Sequence, residues 1–193
     1  MARSNLFSVD ASTNSMAFGV FEGEALIAHG KINFEGPSVY ARVEDAARKC
    51  RAFFDKFPDV KNLVIEHTVF INSPKTAADL ALVQGALLGA AAQSGIAIAG
   101  AVNPIAWQSY LGNNRLTKDE QFALTKEFPG KTKSWYKNKE RLVRKQRTIN
   151  LVRINYDRNI LDDDIADAVV FALILVSLNA DTVVFTMILT ALH

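Results

Sequence analysis

The segment Leu161-Asp162-Asp163-Asp164-Ile165-Ala166-Asp167-Ala168 constrains this chain more than any other. Three consecutive carboxylates run into an apolar segment, Ala168 to Leu178, and a fourth acid stands inside its first turn. The apolar run reads as a buried helix, on which Asp164 and Asp167, three residues apart, share a face. Acids in a first turn interact favourably with the helix dipole, at about 0.3–1 kcal/mol each, and one of Asp162, Asp163 or Asp164 is expected as the N-cap. That accounts for three aspartates but poorly for Asp167, which stands among Ala166, Ala168 and Val169. A carboxylate at such an edge needs a pairing group or a bound cation, because burying an isolated charge is too costly.

The remaining chain gives that segment a setting. At 193 residues, a single domain spanning 1–193 is the expectation. The one cysteine, Cys50, excludes an internal disulfide and fits a reducing compartment, so a cytoplasmic location is expected. No signal-peptide pattern opens the sequence. Ile165 to His193 is strongly apolar, but Asp167, Asn179 and Asp181 divide it into pieces shorter than the ~20 residues a membrane span needs.

Charge is unevenly spread. Of a net +2, the stretch Lys131 to Arg153 carries +8, with nine Lys/Arg against Glu140 alone, which leaves −6 elsewhere. A basic segment beside an acidic body suits an anionic polymer, although a solvated charged helix has the same composition. Trp135 and Tyr136 within the run favour nucleic acid, since aromatic rings stack on exposed bases.

In chain order, Leu6–Asp10, Met16–Phe21 and Ala25–Phe34 read as a three-stranded antiparallel meander with polar turns between. Ser38 caps an expected helix from Val39 to about Phe57, whose Val43, Ala46, Ala47, Cys50, Phe53, Phe54 and Phe57 face the sheet. Leu63-Val64-Ile65 is short, apolar and β-branched, typical of a central parallel strand, and ends in Glu66. After a loop with Phe70 and Ile71, an Ala-rich helix from Lys75 to about Ser94 contains Gly85 and Gly89, read as close-packing positions. Ile96–Val102 reads as another buried strand and Asn103-Pro104 as the start of a short helix to Leu111. Gly112–Asn138 is the least regular part, with a helical piece at Lys118–Phe128. A basic helix is expected from Lys139 to Ile154, with Leu142, Ile149 and Val152 apolar.

Asp10 and Glu66 thus end two strands, and Asp164 and Asp167 open a late helix. The implied order β-β-β-α-β-α-β-α puts all of them near one end of a sheet, where α/β folds gather functional groups. Hard divalent cations bind such oxygen clusters. Two metals about 3.5–4 Å apart would suit an in-line displacement at phosphorus. His67 is read as structural.

These residues resemble the ribonuclease H-like nucleases, and within them the RuvC-type Holliday junction resolvases, with a lean toward the phage and viral branch. Four pieces carry the resemblance: Phe7-Ser8-Val9-Asp10-Ala11-Ser12, Val64-Ile65-Glu66-His67-Thr68-Val69-Phe70, Leu82-Val83-Gln84-Gly85-Ala86, and Asp164-Ile165-Ala166-Asp167-Ala168. The resemblance implies an α/β fold with a mixed sheet, the antiparallel meander plus parallel strands, flanked by helices. It implies a divalent-metal-dependent endonuclease nicking four-way or related branched DNA as a homodimer. Asp10, Glu66, Asp164 and Asp167 would be ligands of Mg²⁺ or Mn²⁺, two ions per site. Phe70 falls where the family has an aromatic that stacks into the opened junction centre, although simple packing onto the domain is an equal reading. The family often has a basic residue shortly after the proline of the Asn103-Pro104 segment. Here Trp107-Gln108 stands in that region, with Trp107 read as core, and Lys145 is the basic group expected near the scissile phosphate. Lys131, Lys133, Lys137, Lys139, Arg141, Arg144, Lys145 and Arg147 are the expected DNA contacts. The stretch 112–140 reads as an insertion and 179–193 as an extension.

Other functions fit less of the chain. RNA-strand cleavage in a hybrid, or strand transfer, would use the same acids. Asp10-Ala11-Ser12-Thr13 resembles the phosphate loop of sugar-kinase or actin-like ATPases, but these need a second such loop and a second domain. A catalytically dead relative is disfavoured by the presence of all four acids.

Overall fold

In a computed structural model, the described residues are 5–67 and 73–177. Strands β1 (Asn5–Ala11), β2 (Ser15–Glu22) and β3 (Ala25–Asn33) form the expected meander. After helix α1 (Val39–Phe54) come β4 (Asn62–Glu66), α2 (Pro74–Gln93) and β5 (Ala97–Val102). Four helices follow: α3 (Pro104–Tyr110), α4 (Lys118–Glu127), α5 (Lys133–Asn155) and α6 (Asp163–Ser177). The sheet order is β3-β2-β1-β4-β5, antiparallel through the meander and parallel from β1 to β4 to β5. It is the mixed sheet expected from the sequence.

Strand alternation divides the core in two. Phe7, Val9, Met16, Val20, Leu63 and Ile65 face α1 and α2 together with Ala46, Cys50, Phe54, Val83 and Leu87. Phe7 sits in an aromatic nest, 5.2 Å from Phe54 and 5.7 Å from Phe57 between ring centroids. The opposite face carries Leu6, Ala17, Phe21 and Val64 against Trp107, Ile149, Val152 and the α6 residues Ala166, Ala168, Val169, Val170 and Ala172. By the same alternation, Asp10 and Glu66 stand on the α6 side.

Small residues set how closely α6 lies on the sheet. A Cβ added at Gly19 would come within 2.8 Å of Ser8 Oγ, 2.9 Å of the Phe21 ring and 3.3 Å of Val169 Cγ2. Gly19→Ala is therefore expected to cost about 1–3 kcal/mol, read by urea denaturation, because neither the strand pair nor the helix has room to move apart. An unchanged midpoint would show that α6 docks more loosely than its contacts indicate.

Several boundaries and faces differ from the sequence reading. Helix α1 stops at Phe54, with Asp55 as its cap, yet Phe57 still packs on the core. Strand β5 is the last in the sheet rather than a buried strand, with Ile98 42% exposed, because it has a neighbour on one side only. Gly85 and Gly89 do not mediate close packing: a Cβ at either would meet nothing within 4 Å. Helix α5 begins at Lys133, six residues before the expected start. After Gly130, at φ +75°, the Thr132 side chain accepts from the Trp135 N–H and caps it. Most of the stretch read as irregular is thus helical, with α4 closed by a Thr117/Glu120 capping box. Leu142 is 60% exposed, whereas Ile149 and Val152 are buried as expected. Among the described residues, no helix is long and apolar enough to cross a membrane.

Candidate active site

Four elements bring the acids to one end of the sheet. Asp10 lies one step beyond the last register pair of β1 with β4, Val9 with Ile65, so it neighbours Glu66 on the adjacent parallel strand. Across the meander Asp10 pairs with Ala17, and Ala17 with Lys31, which makes a row over three strands. Above that row α6 begins. Asp162 is its cap: Oδ1 accepts from the N–H groups of Asp164 (3.0 Å) and Ile165 (3.1 Å). One turn on, Asp167 follows Asp164 on the same face.

The Glu66 carboxyl is hydrogen-bonded to Asp10, an arrangement two carboxyl groups adopt by sharing a proton. The Trp107 indole N–H donates to Glu66 Oε1 at 2.8 Å. Asp167 is hydrogen-bonded to Thr148 of α5. Thr148 Oγ1 in turn accepts from Asn113 Nδ2 at 3.0 Å. Lys31 Nζ lies 2.5 Å from Asp164 Oδ2 and 3.3 Å from Asp162 Oδ2. Lys145 pairs with Asp163 and lies 3.9 Å from Asp164 Oδ1.

The electrostatics record the crowding. Burial, followed by the charges of Glu66 and Asp164, pushes the Asp10 carboxyl up to about 8, against the pull of Lys145 and Lys31. Burial also drives Glu66 to about 7. The Trp107 hydrogen bond opposes this, and the charges of Asp167 and Asp164 add to it. Asp167 rises to about 7 through burial and then the Asp10 charge. Although burial works against it, the Lys31 ammonium is held above its usual range by the hydrogen bond and charge of Asp164. Each of the three raised acids keeps a strip of surface open to solvent, so a cation can reach them. The donor set is all hard oxygen, which suits Mg²⁺ or Mn²⁺. Among the described residues, no three such side chains already stand together as a metal cage; the Asp164 carboxylate is turned toward the two lysines instead.

No protein-family model matches the sequence, and no curated protein does. Solved structures do match. The chain is similar to Thermus thermophilus RuvC in complex with a Holliday junction substrate, with a TM-score of 0.60 and 15% identity, over 88% of this chain and 90% of that one. A second Thermus thermophilus RuvC structure gives a TM-score of 0.59 and 16% identity, over 88% and 91%. This is a RuvC-type fold. The mixed sheet and its flanking helices match it from the meander through α6.

Within that RuvC-type fold the basic residues separate into groups. Arg147 is paired with Glu120, and Lys145 with Asp163. Arg144 donates to Gln108 Oε1 and, from Nε, to the Asn113 carbonyl at 3.3 Å. Lys131 lies over the Trp135 ring and Lys139 over the Phe128 ring. Lys133, Lys137 and Arg141 are exposed on α5. Trp135 and Tyr136 are not presented to bases: Trp135 packs 5.1 Å from Phe128 and 5.3 Å from Tyr136, whose hydroxyl donates to the Phe128 carbonyl. Phe70 lies outside the described residues.

Lys31, Trp107 and Thr148 were missed as site residues by the sequence reading. Trp107 is core, as expected, at 1% exposed, yet its polar edge serves Glu66. Trp107→Phe keeps the ring packing and removes the donor. Leaving the Glu66 oxygen unpaired is expected to cost about 1–2 kcal/mol of stability and to slow any cleavage roughly tenfold, measured by denaturation and single-turnover assay. Equal rates would show that Glu66 needs no tether.

Proposed function

We propose that the chain is a divalent-metal-dependent endonuclease that nicks four-way or related branched DNA as a homodimer. The observation that carries this reading is the packing of Asp10, Glu66 and Asp167 so closely that burial and mutual repulsion raise all three, at the end of a RuvC-type sheet. Such a cluster is costly unless a cation offsets it.

Asp10, Glu66, Asp164 and Asp167 would hold Mg²⁺ or Mn²⁺, two ions per site. Ions so placed supply an activated water and neutralise charge on an in-line phosphodiester displacement. The protein's own side chains do the positioning. The Trp107 N–H fixes one Glu66 oxygen, and Thr148 fixes Asp167. Lys31 and Lys145 hold the start of α6 from opposite sides. Lys145 also places an ammonium beside the cluster, where a scissile phosphate would need one.

The test uses a synthetic four-way junction, a matching linear duplex and an RNA–DNA hybrid, with Mg²⁺, Mn²⁺ or EDTA. Paired, metal-dependent nicks near the branch point and an intact duplex are expected. Cleavage of the hybrid alone would replace this reading by a ribonuclease one.

A further inference from the structure

A cleft of about 360 Å³ lies between the start of α4 and α5, lined by Arg115, Gln121, Lys137, Glu140, Arg141 and Arg144. Four cationic side chains face one carboxylate there. Glu140 is already engaged, since Oε1 accepts from the Leu116 N–H at 3.1 Å. Among the described residues, Arg115, Lys137 and Arg141 form no ion pair, in contrast to Lys145 and Arg147 farther along α5. Arg144 is fixed in place by Gln108 and the Asn113 carbonyl, so part of the cleft wall is preorganised.

The position is informative as well. Lys137, Arg141 and Arg144 follow one another at helical spacing on a single face of α5, and Thr148 continues that face. At 1.5 Å per residue, Arg141 stands about 10 Å along the helix from Thr148, which is hydrogen-bonded to Asp167. Gln108, which holds Arg144, is the sequence neighbour of Trp107, which holds Glu66. The cleft and the acid cluster are therefore braced by the same two helices, α3 and α5.

Resting on the nuclease reading, we infer that this cleft binds a backbone phosphate of the substrate DNA outside the scissile position. A guanidinium fork matches two phosphate oxygens, and three unpaired cations around a half-enclosed space suit a group of concentrated negative charge. A strand engaged at Asp167 and running along α5 would pass over it. Arg115, contributed by the turn before α4, closes the side of the cleft opposite α5. It gives the basic segment a defined phosphate seat in place of a diffuse charged surface.

The test measures binding of a fluorescent four-way junction and a duplex to the full chain in EDTA, by anisotropy, from about 50 to 200 mM salt. The double variant R115Q/R141Q is expected to bind both DNAs roughly 10- to 30-fold more weakly. Its slope of log K against log salt should be shallower by about 2, one for each phosphate-directed cation removed. The charge-matched control K118Q/K126Q, on α4 outside the cleft, should stay within about twofold of the parent, with melting temperatures of both variants unchanged. Parent-like affinity of R115Q/R141Q, or an equal loss in the control, overturns the assignment. Should the parent cut no branched DNA in Mg²⁺ while the cleft variant still loses affinity and slope, the nuclease reading fails and the phosphate seat stands.

Discussion

Asp10→Asn is expected to abolish strand cleavage, leave DNA binding within about threefold, and make the metal-free protein more stable at pH 8. The three effects share one cause. Asp10 lies between Glu66 and α6, and its carboxyl is pushed to about 8 by burial and then by Glu66 and Asp164. An amide of the same shape carries no charge to repel them. It also supplies no anionic oxygen to a divalent cation, and loss of several kcal/mol of transition-state stabilisation corresponds to roughly 10³-fold or more in rate. A displacement of one pH unit is worth about 1.4 kcal/mol. Because the repulsion is shared among four acids, a gain of roughly 2–4 kcal/mol is expected, read by urea denaturation in EDTA. Retained cleavage in a clean preparation would remove Asp10 from the metal site. Lower stability at pH 8 would show that the cluster is not repulsive.

The second large effect is on pH and metal together. A carboxyl whose folded value lies above its unfolded value binds its proton more tightly when folded. Its contribution is fully present below the unfolded value and is lost as pH climbs through the folded one. For Asp10, Glu66 and Asp167 that window runs from about 4 to between 7 and 8. Asp45, Asp157 and Glu120 have the opposite sign. Lys49 beside Asp45, the Asn159 N–H on Asp157 and the Thr117 N–H on Glu120 hold them below their usual range, so their contribution disappears in acid. Metal-free stability is therefore expected to peak between roughly pH 4 and 6 and to fall toward pH 8. At pH 8, Mg²⁺ or Mn²⁺ at a hundredfold excess over Kd should restore about 2.7 kcal/mol. For a chain of this size that is roughly 5–10 °C in Tm. Asp10→Asn should flatten both responses. A flat profile in the parent, insensitive to either cation, would contradict a cation-dependent cluster.

Much of the arrangement is legible in the sequence because it is carried by short-range signals. Alternating apolar residues mark the meander, and Leu63-Val64-Ile65 marks a central strand. Acids at the ends of these runs fall near one another once the strands pair. Lys31 has no such signal. It sits in an unremarkable stretch, Ala28-His29-Gly30-Lys31, and reaches Asp164 only because register sets it opposite Ala17 and α6 docks across the row. Trp107 was readable as core but not as a donor to Glu66, since that contact joins residues 41 apart. The start of α5 was obscured for another reason. Lys133 to Lys139 lacks an apolar period, and a single threonine cap begins the helix there. At Gly85 and Gly89 small size suggested close approach, but both face open space, and composition alone cannot distinguish the two.

The order of the acids along the chain has a consequence for the protein as it is made. Asp10 and Glu66 emerge early and sit on paired strands, but Asp164 and Asp167 belong to α6, the last helix described, which packs on β1, β2 and β3. Domains form as units from the N-terminal side during synthesis. A nascent chain that has built its sheet still holds half of the carboxylate cluster, with neither Lys145 nor the opening of α6 in place. Competence to engage a cation thus arrives with the final docking step. An incomplete chain, whether truncated or still on the ribosome, is inert toward DNA by construction.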